Sequence, residues 1–561
     1  MQPRPWHATY PPGIPFEAPL EEGLTLPVMV ARTIARRPDH IAYTCLGVSL
    51  SYGALDALAT AFAGFLQHRG LQPGDHVALM LPNSIVHPIA MLGVLRAGMA
   101  VVSVNPMYTA RELAHQLHDS GAKAIVTSEA VLPLLRQIAP EVKMQLVVCA
   151  STADLLPQRE ATGDAWQAEA AFSPPDDATS LGAALAQGAT ANFTPPNIAA
   201  TDIAFLQYTG GTTGVSKGAA LSHANVIAAA VQQYTWQPRV FRPFETRCIT
   251  PLPLYHIYPL NVALILLAIG GTNRLVPNPR DLQQLFAEIR RGPFDLLLGL
   301  NTLFNGLLAS GQLNPADFAE TRMVIGAGST VQQVIAERWK AATGVAISES
   351  YGLTECSPGV TSNVLGGPDW TGSIGVPVPS TDVQLIDAEG NPVPIGQPGE
   401  LCVKGPQVFS GYWQRPDETK KVFTADGWFR TGDIATMDSH GMIAIVDRLK
   451  DMILVSGFNV YPNEIEAVVA MMPEVLECAC VGVPNERSGE VPHFIVVKLD
   501  PALDEAKVIA HCRANLTAYK VPKHISFVAA LPKSPVGKIL RRELRAELLA
   551  AGSPSGATTI A

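Results

Sequence analysis

The sequence is poor in charged residues for its length. They make up 16% of the 561 residues, against about 25% in an average globular protein, whereas hydrophobic residues reach 47%. Lysine and arginine total 40 and aspartate and glutamate total 49, which gives a formal net charge of −9. Nucleic-acid binding needs a clustered basic excess, so a broad nucleic-acid surface is not expected. At about 150 residues per domain, the length allows three or four domain-sized units with large cores.

Long hydrophobic runs are also missing. A membrane-spanning helix needs about 20 apolar residues. The best candidate, residues 262–269, is followed by Gly270, Gly271, Asn273 and Arg274, so it is interpreted as a buried helix or strand. The first residues lack the apolar core of a secretory signal. We therefore expect a cytoplasmic protein, and the sequence leaves peripheral membrane contact and a homodimer open.

Cysteine is scarce, with eight residues and no CxxC motif. This usage is typical of reduced thiols and excludes a dense disulfide framework. Cys478 and Cys480 alternate in LECACVGV, so both are expected to face one side of a strand. A metal site at this pair is the less favoured alternative.

The order of apolar runs predicts an α/β fold. Apolar strands alternate with amphipathic helices over residues 41–128, which is typical of layered parallel α/β units. Period-two runs over residues 383–405 indicate a small antiparallel β unit, whereas residues 151–196 show little periodicity and predict a long loop or a partly ordered excursion. After the DRLKD segment the elements shorten. We predict a large N-terminal domain, residues 1–449, and a smaller mobile α+β domain, residues 450–561.

The strongest local signal is YTGGTTGVSKG, residues 208–218, directly after the apolar run IAFLQ. Its glycines let backbone N–H groups approach phosphate oxygens, its three threonines offer hydroxyl donors, and Lys217 adds a positive charge. It is not a Walker A loop, because Ser216 and Gly218 occupy positions that would need glycine and a hydroxyl residue. An ordinary glycine turn is the alternative, but the threonines and lysine favour a phosphate loop.

Two further clusters could complete a nucleotide site. In ISESYGLTEC, the ring of Tyr351 could stack on a purine, the Thr354 hydroxyl could bind a phosphate oxygen and the Glu355 carboxylate could hold Mg²⁺. In FRTGD, Asp433 could accept hydrogen bonds from two ribose hydroxyls or could simply cap a turn. Each cluster is weak evidence when taken alone.

Taken together, these segments carry a family resemblance. With PLPLYHIY, DRLKDMILVSGFNVYPNEIE and PKSPVGKILRREL, they occur in the order typical of the adenylate-forming superfamily. Within it, LGLNTLFNGLL and GELCVKGPQVFSGYWQRPDET most resemble bacterial long-chain fatty-acid CoA ligases, and the resemblance covers nearly the whole chain. It implies that a fatty acid and ATP form an acyl adenylate and pyrophosphate, after which coenzyme A takes the acyl group and AMP leaves.

The resemblance also implies roles for individual residues. Lys538, Thr354 and Glu355 would be catalytic, with Lys538 between the attacking carboxylate and the α phosphate and Glu355 on Mg²⁺. Lys450 would be the hinge of the C-terminal domain, and Gly457 would line the approach of coenzyme A, with an ordinary turn glycine as the alternative at that position. The acyl-binding residues would be His256, Asn301, Gly326 and Gly328. The ATP-binding residues would be Thr209, Gly210, Gly211, Thr212, Thr213, Gly214, Lys217, Gly328, Ser350, Tyr351, Gly352, Asp433 and Arg448.

Several of these expectations have alternatives. A histidine in an apolar segment is often a core residue, but the resemblance places His256 at the acyl end of the site, where it would position the substrate without transferring a proton. Gly326 and Gly328 are expected to leave room for an alkyl chain. The chain departs from the family that it resembles at Arg430, a position where those enzymes usually carry histidine. A medium-chain or arylalkanoic acid CoA ligase, an enzyme that loads a carrier protein, and a non-catalytic acyl or nucleotide sensor stay open.

Overall fold

The computed structural model describes residues 4–156, 166–169, 171–175, 177–209, 216–456, 458–485, 487–534 and 537–550. The helices are α1 (Leu26–Arg36), α2 (Tyr52–His68), α3 (Val86–Arg96), α4 (Ala110–Ser120), α5 (Leu132–Ile138), α6 (Thr152–Leu155), α7 (Leu181–Thr190), α8 (His223–Trp236), α9 (Ile257–Ile269), α10 (Leu282–Arg290), α11 (Asn301–Ala309), α12 (Gln333–Thr343), α13 (Pro416–Val422), α14 (Pro462–Ala470), α15 (Glu505–Asn515) and α16 (Arg541–Ala550).

The strands make four sheets. They are β1 (Ile41–Cys45), β2 (Val48–Ser51), β3 (His76–Met80), β4 (Ala100–Ser103), β5 (Ala124–Ser128), β6 (Leu146–Ala150), β7 (Thr179–Ser180), β8 (Ile203–Thr209), β9 (Lys217–Ser222), β10 (Arg247–Thr250), β11 (Thr272–Leu275), β12 (Leu296–Gly299), β13 (Met323–Gly326), β14 (Ile347–Gly352), β15 (Gly359–Ser362), β16 (Val376–Pro377), β17 (Asp382–Ile386), β18 (Gly399–Lys404), β19 (Phe429–Met437), β20 (Ile443–Arg448), β21 (Ile453–Val455), β22 (Phe458–Val460), β23 (Val475–Asn485), β24 (Gly489–Lys498) and β25 (His524–Val528).

Two large sheets form the N-terminal part of the fold. One has the order β7-β6-β5-β3-β4-β8-β9, and the other has the order β16-β15-β14-β13-β12-β10-β11-β1-β2. The central strands of both are parallel, and they are apolar along their length because helices cover both faces. The α/β prediction and the strand and helix order over residues 41–128 are confirmed. Ligands of such folds bind beyond the carboxyl ends of the parallel strands.

The loop predicted over residues 151–196 is wrong in part. Helix α7 lies in it and packs closely on α2, with Leu181 and Leu185 buried. A Cβ atom on Gly188 would lie 1.8 Å from the Ala61 carbonyl oxygen, so only glycine allows this approach. This segment is rich in alanine and glycine, which is a composition typical of loops. Here the small residues allow α7 to pack closely on α2.

The remaining sheets are antiparallel or mixed. Strands β17 to β20 form the small antiparallel unit that the period-two runs predict. After it, β22-β21-β24-β23, with β25 on β24, and helices α14 to α16 form the predicted α+β part. Cys478 and Cys480 are both buried in its core with free thiols, as expected for alternate positions of one strand. None of the helices in the described ranges is long and apolar enough to cross a membrane.

Candidate active site

The predicted phosphate loop connects two strands of one hairpin. Strands β8 and β9 are antiparallel neighbours, and Thr209 faces Lys217 across the pair. The Ser216 hydroxyl donates a hydrogen bond to the Thr209 carbonyl oxygen at 2.9 Å, which closes the base of the loop. Residues 210–215 of the loop lie outside the described residues; the predicted ATP-binding residues among them are Gly210, Gly211, Thr212, Thr213 and Gly214. The structure therefore defines the two ends of the loop.

Lys217 has two contacts that its sequence position does not reveal. Its ammonium group forms an ion pair with the Glu418 carboxylate of α13, and it lies 5.3 Å from the centre of the Tyr412 ring. Hydrogen bonds from Lys217 and Lys421 hold the pKa of the Glu418 carboxyl well below its usual range. No spacing rule could connect residues 217 and 418, so the sequence analysis missed Glu418.

Tyr351, Asp433 and Arg448 come together although they lie on different elements. The Tyr351 hydroxyl donates to Asp433 Oδ2 at 2.5 Å, and Arg448 Nε lies 3.3 Å from Asp433 Oδ1. Asp433 and Arg448 are paired positions of β19 and β20, so the sheet register itself aligns them. Burial and the neighbouring Asp433 raise the pKa of Tyr351 well above its usual value, which keeps this hydroxyl protonated as a donor.

The turn before Asp433 is held by Glu400. Arg430 binds Glu400 Oε2 through Nε at 2.9 Å and Nη2 at 2.5 Å, and the other carboxylate oxygen accepts the Gly432 N–H at 3.1 Å. The Asp433 N–H donates to the Thr431 hydroxyl at 3.1 Å. Arg430, the departure from the resemblance, thus stabilises the turn that carries Asp433.

Glu355 is a buried carboxylate that contacts Tyr412, the residue beside Lys217. Thr354 and Glu355 form a short 3-10 helix, Thr354–Cys356, after β14, and the Tyr412 hydroxyl donates to Glu355 Oε1 at 2.7 Å. Burial raises the pKa of Glu355, and the hydrogen bond from Tyr412 opposes that rise. Tyr412 therefore contacts Glu355 with its hydroxyl and Lys217 with its ring, and the sequence analysis missed this residue.

Ser350 and Gly352 hold β14 against β15. The Ser350 and Ser362 hydroxyl groups are 2.9 Å apart and share a hydrogen bond. A Cβ atom on Gly352 would lie 2.0 Å from the Pro358 carbonyl oxygen, so a side chain is excluded there. Both positions fix the backbone on either side of Tyr351.

Lys538 reaches this group from the C-terminal part of the chain. A Cβ atom built on Gly328 would lie 3.5 Å from Lys538 Cε and 4.0 Å from Nζ, so the lysine lies directly beside this glycine. Burial and the charge of Arg448 lower the pKa of Lys538 to about 8, while Asp433 and Glu355 oppose the shift. Four charged groups on both parts of the chain are therefore within electrostatic range of one another.

The turn that carries Lys538 is fixed at both ends. The Ser534 N–H donates to the Lys538 carbonyl oxygen at 2.7 Å, and the Lys538 N–H donates to the Ser534 hydroxyl at 3.1 Å. The Thr302 hydroxyl of α11 donates to the Gly537 carbonyl oxygen at 3.2 Å. Helix α11 thereby links the turn to the N-terminal sheets.

His256 lies between Lys538 and the start of α9. Its Nδ1 accepts the Tyr258 N–H at 3.3 Å, so the neutral ring carries its proton on Nε2. Burial and the charge of Lys538 lower the pKa of His256 to about 3. A histidine in this state can donate a hydrogen bond from Nε2 and carries no charge at neutral pH.

The predicted acyl-binding glycines differ in their surroundings. A Cβ atom on Gly326 would lie 2.6 Å from Val331 Cγ2 and 2.8 Å from Ile347 Cγ2, both in the core. The expectation that Gly326 leaves open space for an alkyl chain is therefore wrong, because the protein's own side chains fill that space. At Gly328, which has a φ of +81°, the neighbour is Lys538. Asn301 Oδ1 accepts the Gln332 N–H at 3.1 Å and so holds the segment that follows Gly328.

The predicted hinge is an exposed turn. The Arg448 carbonyl oxygen accepts the N–H groups of Asp451 and Met452 at 3.0 and 3.1 Å, and the Leu449 N–H donates to the Gly432 carbonyl oxygen. Within the described ranges, the Lys450 N–H has no hydrogen-bond partner. Gly457 lies outside the described residues.

Comparison with known proteins assigns matching family models to most of the chain. The model described as AMP-binding enzyme matches residues 30–413, and the model described as AMP-binding enzyme C-terminal domain matches residues 464–538. The second match includes the position of Lys538, and the two matches are separated by the segment that contains Lys450.

Curated relatives and solved structures agree with these matches. The chain is 46% identical over 550 residues to a long-chain-fatty-acid–CoA ligase of Escherichia coli O6:H1, covering 97% of this chain and 98% of the relative. A protein of the same name from Yersinia pestis is 47% identical over 561 residues, covering 98% and 99%. The crystal structure of ATP-bound MatB from Rhodopseudomonas palustris has a TM-score of 0.82 at 30% identity, covering 94% of this chain and 99% of that one.

Proposed function

The chain belongs to the AMP-binding enzyme family, and on that premise we propose that it is an ATP-dependent fatty-acid CoA ligase. It joins a fatty acid to coenzyme A through an acyl adenylate and releases pyrophosphate and AMP. Relatives that match nearly the full length are named long-chain-fatty-acid–CoA ligase. The observation that carries the proposal is the position of Lys538 beside Gly328, within electrostatic range of Asp433, Arg448 and Glu355.

The nucleotide would lie against the carboxyl ends of the parallel strands. The ring of Tyr351 offers a flat face for adenine, and Asp433, aligned by Tyr351 and Arg448, offers carboxylate oxygens for the ribose hydroxyls. Lys217 and the loop that follows Thr209 would bind the β and γ phosphates. Lys217 would exchange its present partner, Glu418, for a phosphate oxygen.

Magnesium would arrive with ATP as part of the substrate. Within the described residues there is no group of three or more His, Cys, Asp or Glu side chains that could hold a metal ion. A single buried carboxylate such as Glu355 fits Mg²⁺, which commonly takes one or two protein carboxylates and binds substrate phosphates and water with its other positions. When bound, the ion would neutralise phosphate charge, while Glu355, oriented by Tyr412, would hold the complex in place.

The first half-reaction is an in-line attack of the acid's carboxylate on the α phosphorus. The carboxylate and the α phosphate are both anionic and must approach each other. Negative charge then grows on the α phosphate and on the departing pyrophosphate. The ammonium group of Lys538, with Thr354 as a hydroxyl donor, would stabilise that charge. His256, neutral and with its proton on Nε2, would donate a hydrogen bond to the acid and would not transfer a proton.

The second half-reaction needs a different arrangement. The thiol of coenzyme A must reach the activated carbonyl, and Lys538 lies against Gly328 in the present arrangement. We infer that the C-terminal domain, residues 450–561, turns about Lys450 relative to residues 1–449, withdraws Lys538 and presents the segment around Gly457 to coenzyme A. The exposed turn at Lys450, whose N–H makes no bond in the described part, suits this role.

The preferred acid is a saturated or monounsaturated chain of medium to long length. Each buried methylene contributes about 0.8 kcal/mol, so kcat/KM should rise by orders of magnitude over several added carbons. A panel of acids from acetate through palmitate to phenylpropanoids tests this, with acyl-CoA formation as the readout. A maximum at an acid of medium to long chain length is expected. A maximum at acetate or at a bulky aromatic acid would contradict the substrate assignment and favour the arylalkanoic alternative.

Location and assembly are further proposals. All eight cysteines are buried and unpaired, which suits a reducing compartment such as the cytoplasm. Peripheral membrane contact and a homodimer stay predictions from the sequence. Sedimentation with lipid vesicles and the mass in solution would test them.

A further inference from the structure

A buried carboxylate lies immediately before the hinge and contacts the region immediately after it. Asp447, in β20, is completely buried. Its Oδ1 accepts the N–H of the next residue, Arg448, at 2.7 Å, and its Oδ2 accepts the Asn463 N–H at 2.9 Å. Because Lys450 lies between Asp447 and Asn463, the second bond crosses the proposed hinge.

Helix α14 needs an acceptor at this point. The first N–H groups of a helix have no partners within the helix, and a side chain usually caps them. In the part of the chain that the structure describes, the N-cap residue of α14, Tyr461, makes no side-chain cap. Asn463 is the second residue of the helix, so Asp447 supplies from the N-terminal side the cap that α14 lacks. Asn463 Nδ2 also donates to the Val446 carbonyl oxygen at 3.4 Å.

The same asparagine connects α14 to the lysine turn. Asn463 Oδ1 accepts a hydrogen bond from Arg541 Nη2 at 2.5 Å. Arg541 also binds Glu466 of α14 through Nε at 3.0 Å and Nη2 at 2.7 Å. Arg541 follows Lys538 by three residues, so a continuous series of contacts runs from Asp447 through Asn463 and Arg541 to the base of the lysine turn.

We propose that Asp447 is a positioning residue for acyl-adenylate formation, because it docks α14 and thereby holds Lys538 beside Gly328. This inference rests on the proposed function and its rotation about Lys450. Asp447 precedes the hinge and Asn463 follows it, so the rotation separates them. Asp447 therefore acts in the first half-reaction and not in the second.

The test compares half-reactions in Asp447→Ala. Pyrophosphate exchange, which reports adenylate formation, is expected to fall by about 10-fold to 100-fold, the effect of losing a hydrogen bond to a buried charged group. Conversion of supplied acyl adenylate and coenzyme A should stay near the rate of the unmodified chain. Asp447→Asn keeps one oxygen that can accept the Asn463 N–H but turns its NH2 group toward the Arg448 N–H, so it should recover part of the exchange activity.

Asp504→Ala is the matched control. Asp504 Oδ1 caps α15 by accepting the Lys507 N–H at 2.8 Å, and both residues lie after the hinge. This variant loses a helix cap of the same region without losing a contact across the hinge. It should therefore not lower adenylate formation relative to thioester formation. If Asp447→Ala lowers both half-reactions equally, or lowers neither, the proposal is overturned.

A second readout does not depend on activity. A Cβ atom on Gly537 would lie 3.8 Å from Thr302 Cβ, within the range of a disulfide, so Thr302→Cys with Gly537→Cys reports docking of the lysine turn by its rate of oxidation. Cysteine at 537 is strained by its φ of +85°, but the strain is the same with and without Asp447→Ala. Slower oxidation in the Asp447→Ala background supports the proposal, and an equal rate overturns it. Absence of exchange in the unmodified chain would contradict the proposed function instead, while the oxidation rates would still decide on Asp447.

Discussion

The parts of the molecule before and after Lys450 contribute to the site in different ways. Before the hinge, Tyr351 and Glu355 lie near and just after the end of β14 in a large sheet, Asp433 lies in β19 of the small antiparallel unit, and each is held by a further side chain. After the hinge, one described side chain, Lys538, enters the group, and it does so on a short turn. Under the proposed function, nucleotide binding belongs to the part before the hinge, and the charge needed for the first reaction is carried by the part after it.

Removal of Lys538 should have the largest effect, because it should lower one half-reaction and leave the other intact. Lys538→Ala is expected to lower adenylate formation by about 10²-fold to 10³-fold, the range typical of losing one donor that stabilises transition-state charge. Formation of the thioester from supplied acyl adenylate should survive, because the lysine has left the site in that step. Pyrophosphate exchange and single-turnover thioester formation measure the two steps separately.

Lys533→Ala provides the control for this experiment. Lys533 precedes the same turn, and its ammonium group pairs with Glu477 at 2.5 Å, away from the nucleotide residues. It should leave both half-reactions near their original rates. Equal losses of both half-reactions in Lys538→Ala would argue against a lysine that acts in one step only.

A smaller effect is expected from a change in the part of the molecule before the hinge. Tyr412→Phe keeps the ring beneath Lys217 but removes the hydroxyl that holds Glu355. A hydrogen bond to a charged group contributes about 1.5–3 kcal/mol, so the KM for MgATP in pyrophosphate exchange should rise by about 10-fold or more. The thioester half-reaction should change little.

The control for Tyr412→Phe is Tyr52→Phe. This variant removes a fully buried hydroxyl that donates to the carbonyl oxygens of Leu266 and Gly271. It should lower the melting temperature without raising the KM for MgATP. A similar KM in both variants would show that Tyr412 has only a structural role.

The pH profile should also differ between the half-reactions. Lys538, with its pKa lowered to about 8, is a cation below that pH and becomes neutral as the pH rises through it. The kcat/KM of adenylate formation, which reports the free enzyme, should therefore fall above pH 8, whereas thioester formation should lack this decline. In Lys538→Arg, whose guanidinium keeps its charge, any activity that remains should not fall in this range. The same alkaline decline in Lys538→Arg would assign it to another group.

The smallest expected effect concerns core packing. Gly326→Ala would place Cβ against Val331 and Ile347, so it should lower the stability by about 1–3 kcal/mol, as overpacking usually does, and leave the preferred acid unchanged. Gly306→Ala in α11 is the control, because no atom lies within 4 Å of its Cβ position and alanine favours a helix by up to about 1 kcal/mol. Melting temperatures and an acid panel would measure both effects. A preference for shorter acids in Gly326→Ala would instead indicate that Gly326 lines an open acyl pocket, as the sequence predicts.

The sequence predicted the fold well where periodicity carries the information. The α/β order over residues 41–128 and the small β unit follow from local patterns of apolar residues, and both are confirmed. Helix α7 was missed because alanine and glycine give no periodic signal, although Gly188 is what permits its contact with α2. Composition alone cannot distinguish a loop from a helix that packs closely.

The candidate site could be predicted in part. Tyr351, Asp433, Arg448 and Lys538 are far apart in the sequence, and only motif order suggested that they act together; the structure brings them into one group. Tyr412, Glu418 and Asp447 were missed because each acts through a partner on another element, as in the ion pair of Glu418 with Lys217. Such pairs depend on tertiary packing, and no spacing in the sequence encodes them.

Under the proposed function the two parts divide the reaction, and the second part turns at Lys450. The most direct test compares Lys450→Pro with Lys450→Ala. Proline fixes φ near −65° and restricts Leu449 before it, whereas alanine leaves φ free. The Lys450 N–H has no partner in the described part of the chain, so proline removes no hydrogen bond that the structure shows.

The measurement is pyrophosphate exchange and acyl-CoA formation in both variants. We expect Lys450→Pro to keep pyrophosphate exchange near the level of Lys450→Ala while its acyl-CoA formation collapses. A proline variant that makes acyl-CoA at the rate of the alanine variant would contradict a hinge at Lys450.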